Sequence, residues 1–88
     1  MTREEIKQNL IKVLSNNISE NKTNEYDYEN INIIDEYDID SLTFISIIID
    51  LEHIFNVIIP DDLLQMDEFS DFNNIVNILD SLLNIQNN

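Results

Sequence analysis

Ser41 lies between Asp40 and Leu42, at the head of a long apolar stretch that runs to Phe55. The stretch predicts a helix, with Asp40 as a good N-cap and Ser41 at the helix start. A serine in this position can be a second capping group or a solvent-facing point of covalent attachment. The residue pattern alone leaves both interpretations open.

The sequence places no general base of a serine triad close to Ser41. A serine triad needs a histidine beside the serine, but the single histidine, His53, lies twelve residues further along the predicted helix. At the helical rise this is about 18 Å. The chain also has no cysteine. We therefore predict no catalytic residue, and we interpret His53 as a solvated or half-buried residue of the helix.

Four acids just before the helix, Asp35, Glu36, Asp38 and Asp40, supply oxygen ligands that suit a divalent cation. Their order lacks the glycine and the closing glutamate of a calcium-binding loop. We predict no specific metal site here, and we keep a calcium-responsive helical protein as an alternative.

Charge is distributed very unevenly along the chain. Fifteen of the 18 acids follow Thr23, where there is no Lys or Arg, and the net charge is −14. Such a field repels nucleic acid and anionic membranes, and it attracts basic proteins. The first ten residues have scattered charges, and no apolar run approaches the length of a membrane span. We expect a cytoplasmic monomer with no nucleic-acid or membrane contact.

The length suits one small domain, residues 1–88, whose first helix begins at Thr2. Thr2 and Glu5 form a capping-box pattern. Apolar residues then recur at helical spacing: Ile6, Leu10, Val13 or Leu14, and Ile18. Residues 19–32 are polar and predict a long surface loop.

The second half of the chain predicts three further elements. The strongest is the helix from Ser41 to Phe55. A short helix should run from Asp61 to about Met66 after the extended connector that ends at Pro60. A final helix should begin at Ser70 or Asp71 and fray from Asn84. The predicted fold is an all-α, up-and-down bundle of three longer helices with a short one before the last.

The helix after Asp40 has two apolar faces. One predicts the core and comprises Phe44, Ile47, Ile48, Leu51 and Phe55. The second is Leu42, Ile45 and Ile49. Packing on both sides of the helix would bury both faces; otherwise the second face is a docking surface for other proteins. Its acidic rim would be Asp50, Glu52, Asp61 and Asp62.

Two segments of the chain, residues 37–42 and 50–64, resemble the acyl carrier protein family. The first is Y-D-I-D-S-L, and the second is D-L-E-H-I-F-N-V-I-I-P-D-D-L-L. The triplet D-S-L is weak by itself, but its spacing from L-E-x-x-F-x-x-x-I-P-D-x-L makes the resemblance specific. The similarity covers about residues 33–83 and implies a four-helix bundle of that family.

The resemblance implies that Ser41, next to Asp40, accepts 4'-phosphopantetheine from coenzyme A through a phosphodiester. The terminal thiol of that arm would carry acyl groups as thioesters. The second apolar face of the helix would then meet partner enzymes, and its core face would part to shelter an acyl chain. The implied partners are a phosphopantetheinyl transferase and acyl-activating, acyltransferase or ketosynthase-type enzymes with basic docking surfaces.

Two features depart from the family. Asp38 stands where glycine is common, and the second helix has Ser46 and His53 where many fatty-acid carriers have acids. We expect a discrete carrier, itself a substrate and not an enzyme, of fatty acid or polyketide and secondary-metabolite biosynthesis. A stand-alone aminoacyl or peptidyl carrier and an unmodified acidic helical adaptor are the alternatives.

Overall fold

The computed structural model describes residues 1–18 and 31–86, and this part of the chain is helical without strands. Its α-helices are α1 (Arg3–Asn17), α2 (Ile33–Glu36), α3 (Ser41–Phe55) and α4 (Phe72–Gln86). The prediction of an all-α bundle with three longer helices and a short one is confirmed. Most of the predicted loop before α2, residues 19–30, lies outside the described residues.

Helix α1 begins with the predicted capping box. The Glu5 N–H donates to the Thr2 hydroxyl oxygen at 3.2 Å, and the Thr2 N–H donates to the Glu5 carboxylate at 2.9 Å. These two bonds satisfy amides that the first helical turn leaves without partners. The predicted apolar face of α1 is buried, and it comprises Ile6, Leu10, Val13 and Leu14.

One predicted element has a different form. In place of one short helix after Pro60, the chain forms two 3₁₀ turns, Asp61–Leu63 and Met66–Phe69. Between them Gln65 is extended, which lets the chain turn Phe69 into the core. The Phe69 ring meets the Phe44 ring edge to face, with 5.5 Å between their centres. A single straight helix could not present all of its apolar residues to the bundle.

Helices α3 and α4 begin at the same end of the bundle. There the Ile33 N–H of α2 donates to the Ser70 carbonyl at 2.8 Å. At the other end, the Gln86 side chain bonds both the N–H and the C=O of Ile58, each at 2.8 Å. This differs from the predicted up-and-down order, because residues 56–71 return along the bundle. The prediction that the chain frays from Asn84 is wrong, since α4 continues to Gln86.

The core is formed by all four helices and by the two connecting segments 37–40 and 56–71. No polar or charged side chain is buried among the described residues. Helix α1 packs against α3 and α4, while the second 3₁₀ turn packs against α2 and α4. The predicted core face of α3 is entirely buried. Fixing that face inside the bundle determines which residues of α3 face solvent.

The backbone at Asp38 has a left-handed conformation, with φ at +49°. An aspartate tolerates this region better than most residues, but it lacks the freedom of glycine. The chain therefore makes the turn before α3 with a residue in a costly conformation. Asn56, which follows α3, adopts φ +54° and ends that helix in the same way.

We predict that Asp38→Ala unfolds more easily than Asp38→Gly by about 1 kcal/mol, because a Cβ is disfavoured at positive φ. Chemical denaturation of both variants measures the difference. The same pair at Ser46, which lies inside α3 and is exposed, is the control. There the order should reverse, since glycine destabilises a helix interior by roughly 0.8–1.0 kcal/mol relative to alanine. Equal stability of the two Asp38 variants would contradict the role given to this turn.

Candidate functional site

Ser41 is the first residue of α3, and its side chain is exposed. The residue before it, Asp40, caps the helix: its carboxylate accepts the Thr43 N–H at 2.8 Å, and its C=O accepts the Phe44 N–H at 2.9 Å. Side chains in the first turn of a capped helix point outward unless they lie on its core face, which here begins at Phe44. The hydroxyl is therefore presented to solvent at the end of the bundle.

The side chain of Ile39 anchors the turn that leads into Ser41 to the core. Ile39 is buried, and its N–H donates to the Ile34 carbonyl at 3.0 Å. Asn32 caps α2 by accepting the Asp35 N–H at 3.1 Å. Ile33, also buried, is tied to Ser70 as described above. The backbone before Ser41 is thus fixed by its own hydrogen bonds, by the buried side chains of Ile33 and Ile39, and by the bond to Ser70.

The carboxylate of Asp40 shapes the electrostatics at the start of α3. The hydrogen bond from the Thr43 backbone N–H lowers the pKa of this carboxyl below the ordinary aspartate value of 3.8. Asp40 also occupies part of the positive end of the helix dipole. An anion attached to Ser41 would share that positive end with a carboxylate that is already there.

His53 lies in the last turn of α3 and is exposed. Because Ser41 begins the same straight helix, the two side chains are separated by about three turns. His53 cannot serve Ser41 as a base. The arrangement presents a hydroxyl that His53 does not activate.

The second apolar face of α3 is exposed. Leu42 is 79% exposed, Ile45 52% and Ile49 58%. The alternative interpretation, in which helix packing buries this face, does not describe the structure. We call Leu42, Ile45 and Ile49 the α3 strip.

Two of the four predicted rim acids have partners inside the molecule. The Asp50 carboxylate accepts the Asn17 side-chain amide at 2.8 Å and so links α3 to the end of α1. The Glu52 carboxylate accepts the Ile59 N–H at 2.9 Å and holds the connector after α3. Asp61 and Asp62 are exposed in the first 3₁₀ turn. Sequence reasoning missed Asn17 and Ile59 as partners, since nothing local in the chain marks either one.

The acids before α3 do not converge. Across residues 1–18 and 31–86, no group of three or more His, Asp or Glu side chains is placed to hold a metal ion. In the same ranges, no helix has the length and apolar character needed to cross a membrane.

We predict that the Asp40 carboxyl titrates with a midpoint below 3.8, measured by NMR of its carboxyl carbon. The folded pKa lies below the unfolded one, so ionised Asp40 stabilises the fold above pH 3.8. That contribution is lost as the pH falls through the folded pKa. Asp40→Asn, which keeps an oxygen acceptor without the charge, should therefore lose less stability upon acidification. A midpoint at or above 3.8 would contradict this account of the cap.

Comparison with known proteins gives one clear match. A sequence model of the family described as phosphopantetheine attachment site matches residues 22–82. No curated protein and no solved structure gives a significant match. The matched span covers most of the chain and includes Ser41, all of α3 and both 3₁₀ turns. The chain therefore belongs to the phosphopantetheine attachment site family, whose members bear a 4'-phosphopantetheine group as carriers.

Proposed function

We propose that Ser41 is the residue that bears 4'-phosphopantetheine. On this proposal, the chain carries acyl groups as thioesters in fatty acid or polyketide and secondary-metabolite biosynthesis. The observation that supports the proposal is the exposed hydroxyl of Ser41 at the capped start of α3, inside the matched span.

The other serines suit attachment less well. The hydroxyl of Ser70 donates to the Asp67 carbonyl at 2.8 Å. Ser15 lies before the matched span, and so does Ser19, which is outside the described residues. Ser46 and Ser81 lie inside helices, away from the unpaired N–H groups of a helix start. Among the described serines of the matched span, only Ser41 is exposed at the first residue of a helix.

The attachment reaction requires little of this chain beyond the Ser41 hydroxyl. The O–H bond of Ser41 breaks and an Oγ–P bond forms to the pantetheine-side phosphorus of coenzyme A. The bond from that phosphorus to the bridging oxygen breaks, and the nucleotide half leaves with that oxygen. His53 is too far away to take the proton, so the transferase supplies the base. The chain's own part is to hold the hydroxyl in place, which the fixed turn from Ile33 to Asp40 does. The group then supplies a thiol on a long flexible arm.

The α3 strip is the proposed contact for the transferase and for acyl-activating, acyltransferase or ketosynthase-type enzymes. It begins beside Ser41, so an enzyme that covers the strip has the hydroxyl at its edge. Asp61 and Asp62 would favour enzymes with basic docking surfaces, and this attraction weakens with salt. Asp50 and Glu52 would add to the field, although their carboxylates bond inside the molecule.

The buried face of α3 is the proposed shelter for an acyl chain, and it comprises Phe44, Ile47, Ile48, Leu51 and Phe55. These side chains are wholly apolar and pack with both connecting segments. Parting them would expose no buried polar group, so the cost of admitting an acyl chain is limited to lost packing.

We expect the protein to gain the mass of one 4'-phosphopantetheinyl group when it is incubated with coenzyme A and a broad-specificity transferase. Intact-mass spectrometry measures the gain. Ser41→Ala should remain unmodified, while Ser46→Ala, an exposed serine on the same helix, should be modified like the wild type. The proposal fails if the wild type gains nothing, or if Ser41→Ala still acquires the adduct.

Neighbouring isoleucines of α3 provide a matched test of the strip. Ile49→Ala should raise the KM for transfer about tenfold, because it removes an apolar contact, and should leave the unfolding free energy nearly unchanged. Ile48→Ala, which empties a buried position, should lower the unfolding free energy by about 2–4 kcal/mol. Steady-state kinetics and denaturation measure the two effects. An unchanged KM for Ile49→Ala would remove the strip from the proposed contact.

A further inference from the structure

A surface groove of about 440 Å³ lies between the first 3₁₀ turn and α4. Five apolar residues line most of it: Pro60, Leu63, Ile78, Leu82 and Ile85. Asn77 and Ser81 supply its polar atoms. We call it the distal groove. It belongs to neither the surroundings of Ser41 nor the α3 strip.

The walls of the distal groove are held in place at one end. The side-chain amide of Gln86 pairs with both backbone groups of Ile58, and the Glu52 carboxylate accepts the next amide, that of Ile59. Val57 and Ile59 are buried on either side of Ile58. The connector is therefore fixed to both α3 and α4, and the groove is formed before anything binds to it.

The groove and its edge expose apolar side chains that the fold leaves uncovered. Ile85 is 76% exposed, and Ile58, beside the fixed end, is 73% exposed. An engineered cavity of roughly 150 Å³ takes up benzene, so the distal groove can hold two or three bulky side chains. A preformed apolar concavity of this kind is typical of an interaction site.

Uncompensated negative charge lies along one wall. Asp61 and Asp62 are exposed between Pro60 and Leu63, which both line the groove. The sequence has no Lys or Arg after residue 22. At the opposite wall the charge is paired, because Arg3 contacts Asp80 at 3.5 Å and donates to Asn77 at 2.9 Å. An occupant should therefore bring positive charge to the wall that carries Asp61.

We propose that the distal groove binds a helical segment of a partner protein, whose bulky apolar side chains are flanked by Lys or Arg. A second copy of this chain does not fit, because each copy has a charge of −14 and would bring its own aspartates to the contact. An acyl chain has no cation for Asp61 and Asp62. Ser41 lies at the opposite end of α3, about 21 Å away along the axis, so a partner can occupy the groove without covering Ser41.

The test is an NMR titration of the full chain with a short helical peptide of leucines at every third or fourth position, separated by lysines. Amide shifts should change at Asp61, Leu63 and Ile78. Ile85→Ser should weaken binding about tenfold, and Ile58→Ser provides a second variant outside any helix. The double variant Asp61→Asn with Asp62→Asn should weaken binding and reduce its salt dependence. The control Ile49→Ser, on the α3 strip, should bind as the wild type does.

Five outcomes would overturn the proposal. In the first, the shifts concentrate on the α3 strip. In the second, Ile85→Ser and Ile58→Ser both bind like the wild type. In the third, a peptide with glutamate in place of lysine binds equally well. In the fourth, a dimer forms through Ile85, which would assign the groove to a second copy. In the fifth, the amide shifts of the groove change only when an octanoyl thioester is carried on the arm of Ser41, which would assign the groove to the acyl group. The first four outcomes are measured without modifying Ser41, and only the fifth requires its modification, so the two proposals fail separately.

Discussion

Burial of Ile39 between two exposed aspartates is the constraint on which the placement of Ser41 depends. For Ile39 to enter the core, the chain must reverse at Asp38, which therefore takes a positive φ. The reversal leaves Asp40 extended, so that its carboxylate can reach the Thr43 amide and start α3. Ser41 is exposed because it follows a cap and precedes the first core residue, Phe44. Its orientation is thus set by its neighbours and by no hydrogen bond of its own hydroxyl among the described residues.

The acids of this chain have three separate physical roles. Glu5 and Asp40 take part in helix caps, and a backbone hydrogen bond lowers the pKa of each carboxyl. It comes from the Thr2 N–H for Glu5 and from the Thr43 N–H for Asp40. Asp50 and Glu52 bond to an amide on another element or in the following connector. Asp61 and Asp62 are exposed, and their carboxylates make no hydrogen bond within the described part of the chain. On the proposed function, the attraction of basic partners to α3 would therefore depend most directly on charges at its ends, while its middle offers an apolar contact.

Local sequence patterns predicted the parts of the fold that local interactions determine. The capping box at Thr2, the cap at Asp40 and the periodicity of both helices involve residues three or four apart, and each was confirmed. The missed features join distant residues: Asn17 with Asp50, and Ile58 with Gln86. A glutamine near the end of a helix has no sequence signal for pairing with a connector 28 residues earlier. The position of Ser41 was predictable, but the way the connector is fixed was not.

The same distinction explains why the distal groove could not be predicted. Its walls come from two elements that are separate in sequence and meet only because α3 and α4 run in the same direction. Periodicity marks Ile78 and Leu82 as residues of α4, yet it cannot say that Pro60 lies opposite them. The sequence alone places Ile85 in a fraying tail. The pairing of Gln86 with Ile58, which keeps Ile85 in the helix, has no local signal.

Exposed isoleucines on a small protein carry a risk of self-association, and the net charge of −14 opposes it. Two copies that approached through the α3 strip would also bring their acidic helix ends together. A basic partner reverses the balance, because its cations neutralise the same acids that keep the copies apart. On the proposed function, the excess of acids would therefore favour basic proteins over identical copies at this apolar surface. This selectivity needs no residue to recognise a partner specifically, since it follows from the sign of the charge around an uncharged contact.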